Sequence, residues 1–243
     1  MRLLEGKNVI VTGGGGGLGR CYALALAKAG AAVCVSDIDA KTAQATTETI
    51  LETGGRAIAL QADVTQSAAV EELLDRSEAK LGALDVLVNL AGTFPKNALV
   101  DLPESEWDAV MALNLKSVFL GSRAAIRRML PRRRGVVLSA ASGTAARGVP
   151  RGSAYAASKG AIIAFTRSVA LELRGTGVRI NCFAPGATDT ALWREGKPEQ
   201  DVQRARSGGL VYGPDEFSDV VVFLASDMAH AISGEFINRD NPR

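Results

Sequence analysis

Asn8-Val9-Ile10-Val11-Thr12-Gly13-Gly14-Gly15-Gly16-Gly17-Leu18-Gly19 is the stretch whose reading decides the fold. Its first four residues are an unbroken apolar, β-rich run, as in a strand buried on both faces. Thr12 and the glycines at 13 to 17 stop that run, and Leu18-Gly19 opens a helix rich in Ala and Leu that ends near Gly30. Strand, glycine turn, helix is the order in which a doubly wound sheet binds phosphate. Amides and macrodipole at the helix start attract a pyrophosphate, and glycine lets the backbone come close to it. Asp37 strengthens the reading, because it stands just past a second strand, Ala32 to Val35. A carboxylate there can hydrogen-bond both hydroxyls of an adenosine ribose and repel a 2′-phosphate. Neither Gly16 nor Ser36 offers a basic side chain to such a phosphate, so the expected cofactor is NAD rather than NADP.

Working outward, strands and helices alternate to the end of the chain. A polar helix runs to about Glu52 and is stopped by Gly54-Gly55; strands follow at Ala57–Gln61 and Leu84–Val88, with a helix from about Ser67 to Lys80 between them. A long helical region from about Glu104 to Met129 starts behind Pro103. Strands at Val136–Leu138 and Val178–Phe183 flank another helix, and residues 187–213 read as a polar, irregular stretch. Asp215–Ser226 is a last helix and Glu235–Arg239 a last strand. The pattern predicts an α/β fold: a Rossmann-type, doubly wound, mostly parallel seven-stranded sheet with helices on both faces, residues 1–243 forming a single NAD-binding domain.

Composition fits a soluble globular chain, with 47% hydrophobic and 22% charged residues. A formal net charge of +2 argues against nucleic-acid binding driven by bulk charge. Arg132-Arg133-Arg134 reads as a solvated loop. Cys21, Cys34 and Cys182 are far apart and sit in apolar surroundings, so they read as reduced thiols of a cytoplasmic protein, without metal or disulfide. The single His230 stands in a polar segment and reads as a surface residue, which leaves a Ser-His-Asp mechanism without support. No targeting segment or membrane span is expected, because apolar runs stop short of the ~20 residues a span needs.

Chemistry concentrates between Ser142 and Lys159. Tyr155 and Lys159 are four apart at the start of an apolar helical run, hence on one face. An ammonium beside a phenol favours the phenolate and makes a base nearer neutral pH. Ser142 follows the strand Val136–Leu138, a common location for a catalytic group in an α/β sheet.

These stretches together resemble the short-chain dehydrogenase/reductase family over essentially the whole chain, and within it members like the 3-oxoacyl-carrier-protein reductases. Thr12-Gly13-x-x-x-Gly17-Leu18-Gly19 resembles the family's glycine motif, and Asp63-Val64 its adenine-contacting pair. Asn89-Leu90-Ala91-Gly92 resembles its Asn-Asn-Ala-Gly, with Leu90 in place of the second asparagine. Asn114 matches a helix asparagine, and Ser142, Tyr155 and Lys159 the catalytic set. Asn181 to Gly186 with Thr190 looks like its Pro-Gly motif. Two departures stand out: Ala141 where a second serine is common, leaving Ser139 the poorer candidate, and Arg239-Asp240-Asn241-Pro242-Arg243 where a glycine-bearing tail is common.

The resemblance implies hydride transfer between a nicotinamide and a small-molecule alcohol or ketone. Tyr155 would be acid and base, Lys159 its tuner and a ribose ligand, Ser142 the holder of the substrate oxygen, and Asn114 the anchor of a proton-relay water. It implies cofactor contacts from Gly13, Gly17, Leu18, Gly19, Asp37, Asp63, Val64, Asn89, Ala91, Gly92, Pro185, Gly186, Thr188 and Thr190, besides Tyr155 and Lys159. It also implies a homo-oligomer, dimer or tetramer, built on the Glu104–Met129 helix and the one carrying Tyr155. Thr93, Phe94, Gly143, Thr144, Leu192 and Trp193 are expected to line a partly hydrophobic substrate pocket; Arg147 or Arg151 could meet a carboxylate or phosphate there, but a solvated place on the loop is the expectation. Two other readings are weighed. A cofactor-binding regulator without turnover would be expected to lack Tyr155, Lys159 or Ser142, and all are present. An epimerase or dehydratase of the extended type needs a larger substrate domain than the chain length leaves room for.

Overall fold

A computed structural model describes residues 2–194, 197–209 and 211–239. Asp240 to Arg243, most of the atypical tail, lie outside the described residues. Seven strands form one sheet: β1 (Asn8–Thr12), β2 (Ala32–Asp37), β3 (Arg56–Gln61), β4 (Val86–Asn89), β5 (Gly135–Ala140), β6 (Val178–Ala184) and β7 (Phe236–Asn238). Their order is β3-β2-β1-β4-β5-β6-β7, and every pairing is parallel.

Helices α1 (Gly17–Lys28), α2 (Ala40–Glu52), α3 (Ser67–Leu81), α4 (Glu104–Met111), α5 (Ser117–Met129), α6 (Thr144–Arg147), α7 (Ser153–Glu172), α8 (Ala191–Arg194), α9 (Glu199–Ser207) and α10 (Ser218–Ala225) connect them. The period-2 geometry of a strand sends alternate residues to opposite faces. Val9, Val11, Val86 and Val88 pack with Tyr22, Leu26, Ile50 and Val221 from α1, α2 and α10. Ile10, Leu87 and Val137 pack on the other face with Leu73, Leu74, Leu120 and Ala124 from α3 and α5. That double burial is why the strands read as continuous apolar runs rather than alternating ones.

Four features differ from the sequence reading. The 104–129 helix is interrupted by a π-turn at Ala112–Lys116, which holds Asn114. By length and composition the run Glu104–Arg132 would suffice to cross a membrane, but half of its apolar window is buried in the fold. The 187–213 stretch contains α8 and α9. Pro198 precedes α9, with Glu199 and Asp201 in its first turn and Arg204 and Arg206 in its last, an arrangement that complements the helix dipole. Arg132 and Arg134 are not simply solvated: both pair with the buried Asp85, at 3.4 and 3.1 Å.

The sheet reverses its order between β1 and β4. The loops leaving those two strands diverge there and open a crevice at the carboxyl ends of the strands, where such folds bind ligands.

Candidate active site

A cleft of about 850 Å³ occupies that crevice and runs from the glycine loop to α8. Its first wall is the turn from β1 into α1. Gly13 has φ +66°, and a Cβ there would lie 2.9 Å from the Ala91 backbone on the facing loop. A Cβ at Gly19 would overlap the Gly13 carbonyl, so helix and strand can approach this closely only through glycine. The hydroxyl of Thr12 accepts the Leu90 N–H at 3.2 Å and ties the two loops across the switch point. Gly17, at φ +49°, faces Thr190 on the far wall.

Asp37 and Asp63 stand at the same end. The Asp37 carboxylate accepts N–H bonds from Gly15 at 2.9 Å and Asp39 at 3.1 Å, which fixes it at the rim of the glycine loop. Asp63 accepts from the Thr65 hydroxyl and amide, and those bonds hold its carboxyl below the usual range. Asp37, Asp63, Val64, Gly17, Leu18 and Gly19 all line the cleft.

The other end is built by β5, α6 and α7. Tyr155 and Lys159 project from one face of α7. Lys159 is buried and donates to the Ala140 carbonyl at 2.7 Å. Burial lowers its pKa from 10.5 to about 8. Its ammonium lies 5.6 Å from the centre of the Tyr155 ring. The phenol is also perturbed by burial, which raises its pKa, while a hydrogen bond with Ser142 pulls it back. Desolvation thus outweighs the Ser142 hydrogen bond at the phenol. Ser142 itself accepts from the Thr144 hydroxyl and amide, at 2.9 and 3.2 Å, so its oxygen is held toward the cleft. Phe94 stacks on Tyr155 with 4.3 Å between centroids.

The remaining residues divide clearly. Ala91, Gly92, Pro185, Gly186, Thr188 and Thr190 line the cleft with Ser142, Tyr155 and Lys159. Asn89 does not. Its side-chain amide turns toward β5 and α5 and donates to Ser139 at 3.2 Å and Ser122 at 3.5 Å. Ser139, fully buried in that contact, is removed as a catalytic candidate. Asn114 is also fully buried and outside the lining. Its carboxamide bridges both backbone groups of Thr93 and donates to Ser158, so it holds the Thr93 loop against α7. The π-turn around it offsets the helical hydrogen-bond ladder there, as π-bulges at functional sites do. Lining residues that sequence reasoning missed are Lys96, Val149 and Lys197; Arg147 is exposed, as expected, and lies at the cleft's lining too. Residue type alone carries no signal for these.

Around Asp189 the far wall is clamped. Its carboxylate receives Arg194 at 2.5 and 3.0 Å and also pairs with Arg206, so α8 and α9 hang from one buried carboxylate.

A glycine cradle at a parallel-sheet switch point, with a tyrosine and a buried lysine across the cleft from it, is the arrangement of a dinucleotide-binding α/β protein. The cradle fits a dinucleotide: glycine at 13 and 19 lets strand, facing loop and helix pack closely, and the start of the helix at Gly16 is left open, with nothing within 4 Å of a Cβ placed there. The family model for short chain dehydrogenase matches residues 7–201. A 3-oxoacyl-[acyl-carrier-protein] reductase of Synechocystis is 37% identical, over 99% of this chain and 98% of the relative. The BbsD subunit of (2S)-[(R)-hydroxy(phenyl)methyl]succinyl-CoA dehydrogenase from Thauera aromatica is 32% identical, over 96% and 95%. The crystal structure of a short-chain type dehydrogenase/reductase from Mycobacterium marinum superposes with a TM-score of 0.90 at 31% identity, covering 98% of this chain and 95% of that one. The chain belongs to the short-chain dehydrogenase/reductase family.

Proposed function

We propose that the chain is an NAD-dependent oxidoreductase acting on a small-molecule carbonyl or secondary alcohol, with Tyr155 as proton carrier. The observation that carries this reading is the trio at the cleft: the Ser142 hydroxyl on the Tyr155 phenol, and the buried Lys159 ammonium close to the same ring. When bound, the nicotinamide supplies or accepts the hydride. In the reducing direction, neutral Tyr155 donates its phenolic proton to the substrate oxygen, which Ser142 holds and stabilises as charge develops. In oxidation Tyr155 must first lose that proton, and Lys159⁺ favours the phenolate that results. Lys159 would also hold the nicotinamide ribose, and Asn114, which fixes the Thr93 loop, would mark the start of a proton path from that ammonium. The glycines at 13, 17 and 19 with Leu18, Asp63, Val64, Ala91 and Gly92 would hold the adenosine and phosphates; Pro185, Gly186, Thr188 and Thr190 would cover the nicotinamide side.

Asp37 carries the preference for NAD. It lines the cleft with both oxygens already fixed by backbone amides, and Gly16 leaves open space where a basic side chain would be needed for a 2′-phosphate. Comparing kcat/KM with the two cofactors tests this, and a clear preference for NADP sinks it. The proposal extends to a cytoplasmic homo-oligomer, dimer or tetramer. Half-exposed Phe119 on α5 and exposed Leu171 on α7 offer apolar contacts, and three unpaired cysteines suit a reducing compartment.

A further inference from the structure

The segment proposed to cover the nicotinamide side is anchored from outside the cleft. Pro185, Gly186, Ala187, Thr188 and Thr190 line the cleft, whereas Tyr212, Glu216 and Arg239 do not. Tyr212 grips the covering segment by its main chain. Its N–H donates to the Ala187 carbonyl at 2.9 Å, and its carbonyl accepts the Asp189 N–H at 3.0 Å, a parallel bridge that brackets Thr188. The Thr188 hydroxyl donates back to the Gly186 carbonyl at 3.1 Å.

Arg239, the first residue of the atypical tail, holds both ends of that segment. Its N–H donates to the Ala184 carbonyl at 3.1 Å, just ahead of Pro185. Its guanidinium lies 3.6 Å over the Tyr212 ring and donates to Glu216 at 2.7 Å. Glu216 in turn accepts the Gly213 N–H at 2.6 Å, so the turn after Tyr212 is tied to the same cation. The Gly213 bond and then the Arg239 pair hold the Glu216 carboxyl below its usual range. One terminal nitrogen of Arg239, Nη1, is buried without a hydrogen-bond partner among the described residues. A buried donor left unmet is unfavourable, and a solvated arginine would turn it to water. Here the stack and the ion pair keep it inward.

The geometry assigns Arg239 as a positioning residue: by clasping Tyr212 and the end of β6, it holds residues 185–190 against the nicotinamide half of the cofactor. It acts through Tyr212, from outside the cleft. The inference rests on the nicotinamide placement of the proposed function, but its test reads binding rather than turnover.

Calorimetry compares NADH with ADP-ribose, which lacks the nicotinamide, on the wild type and on Arg239→Met, Tyr212→Leu and the double variant. In Arg239→Met, NADH should bind about tenfold more weakly, as for loss of a largely desolvated cation–π contact, with ADP-ribose within about twofold of wild type. Retained ADP-ribose binding also shows that the variant folds. Tyr212→Leu should show the same selective loss, and the double variant should be no worse than either single one, because the two residues act as a unit. Arg239→Lys should fall between Arg239→Met and wild type, since an ammonium keeps the cation but not the planar stack. Equal losses for both ligands, additive losses in the double variant, or unchanged NADH affinity in Arg239→Met overturns the inference. The selective loss in a protein that passes no hydride from NADH to a panel of ketones leaves the role of Arg239 standing and removes the oxidoreductase reading instead.

Discussion

Replacing Lys159 by methionine should stabilise the fold at neutral pH while removing activity. Lys159 is almost wholly buried, and desolvation lowers its pKa from 10.5 to about 8. At neutral pH the ammonium is charged in both folded and unfolded chains, so the folded state carries that penalty, about 3 kcal/mol for a shift of this size. Methionine removes the charge and keeps the volume, but it strands the Ala140 carbonyl that Lys159 now reaches at 2.7 Å, costing about 1 kcal/mol. The variant should therefore gain about 2 kcal/mol at neutral pH, or roughly 4–8 °C in Tm for a chain of this size. The sign then turns with pH. Between about 8 and 10.5 the unfolded chain still holds a proton that the folded chain has released. Wild-type stability therefore rises with pH across that window, and the variant's does not. Near the upper end the advantage is gone and the variant should be less stable by about 1 kcal/mol. Urea denaturation of both proteins at neutral pH and near pH 10 measures this. A pH-independent difference between them, or a variant destabilised at neutral pH, refutes the buried-ammonium account.

Gly13→Ala and Gly16→Ala form a contrast: a Cβ at 13 meets the Ala91 backbone at 2.9 Å on a left-handed backbone, and one at 16 meets nothing within 4 Å, so only the first should lose cofactor affinity, by tenfold or more, in a fluorescence titration. Asp189→Asn should loosen α8 and α9 together, raising KM more than it lowers kcat and exposing the 190–209 segment to limited proteolysis; unchanged KM and cleavage would show that the clamp is not used.

Much of this architecture is legible in the residues, for local reasons. Val9 to Val11 and Val86 to Val88 must be strands because both faces of each are apolar. The Gly13–Gly19 turn is legible because two of its glycines are sterically required. Tyr155 and Lys159 are legible because helical spacing alone puts them on one face. What escapes the sequence depends on long-range register. Asn89 lies opposite Ser139 in the β4–β5 ladder, and that pairing turns its side chain away from the cleft. The phenol's raised pKa depends on how much protein covers it. Lys96 and Lys197 line one cleft only because the loop after β4 and the α8–α9 wall both border it, which neither local segment announces.

The central claim, that Tyr155 carries the proton, is tested most directly by Tyr155→Phe. Phenylalanine preserves the ring stacked on Phe94, and Ser142 keeps its two bonds from Thr144, so the cleft should stand unchanged. With a substrate that the wild type turns over, absorbance at 340 nm should show kcat reduced about 100- to 10,000-fold, the range for loss of a general acid, with NAD affinity within about twofold of wild type. Turnover within tenfold of wild type would contradict the assignment and leave Tyr155 a wall residue.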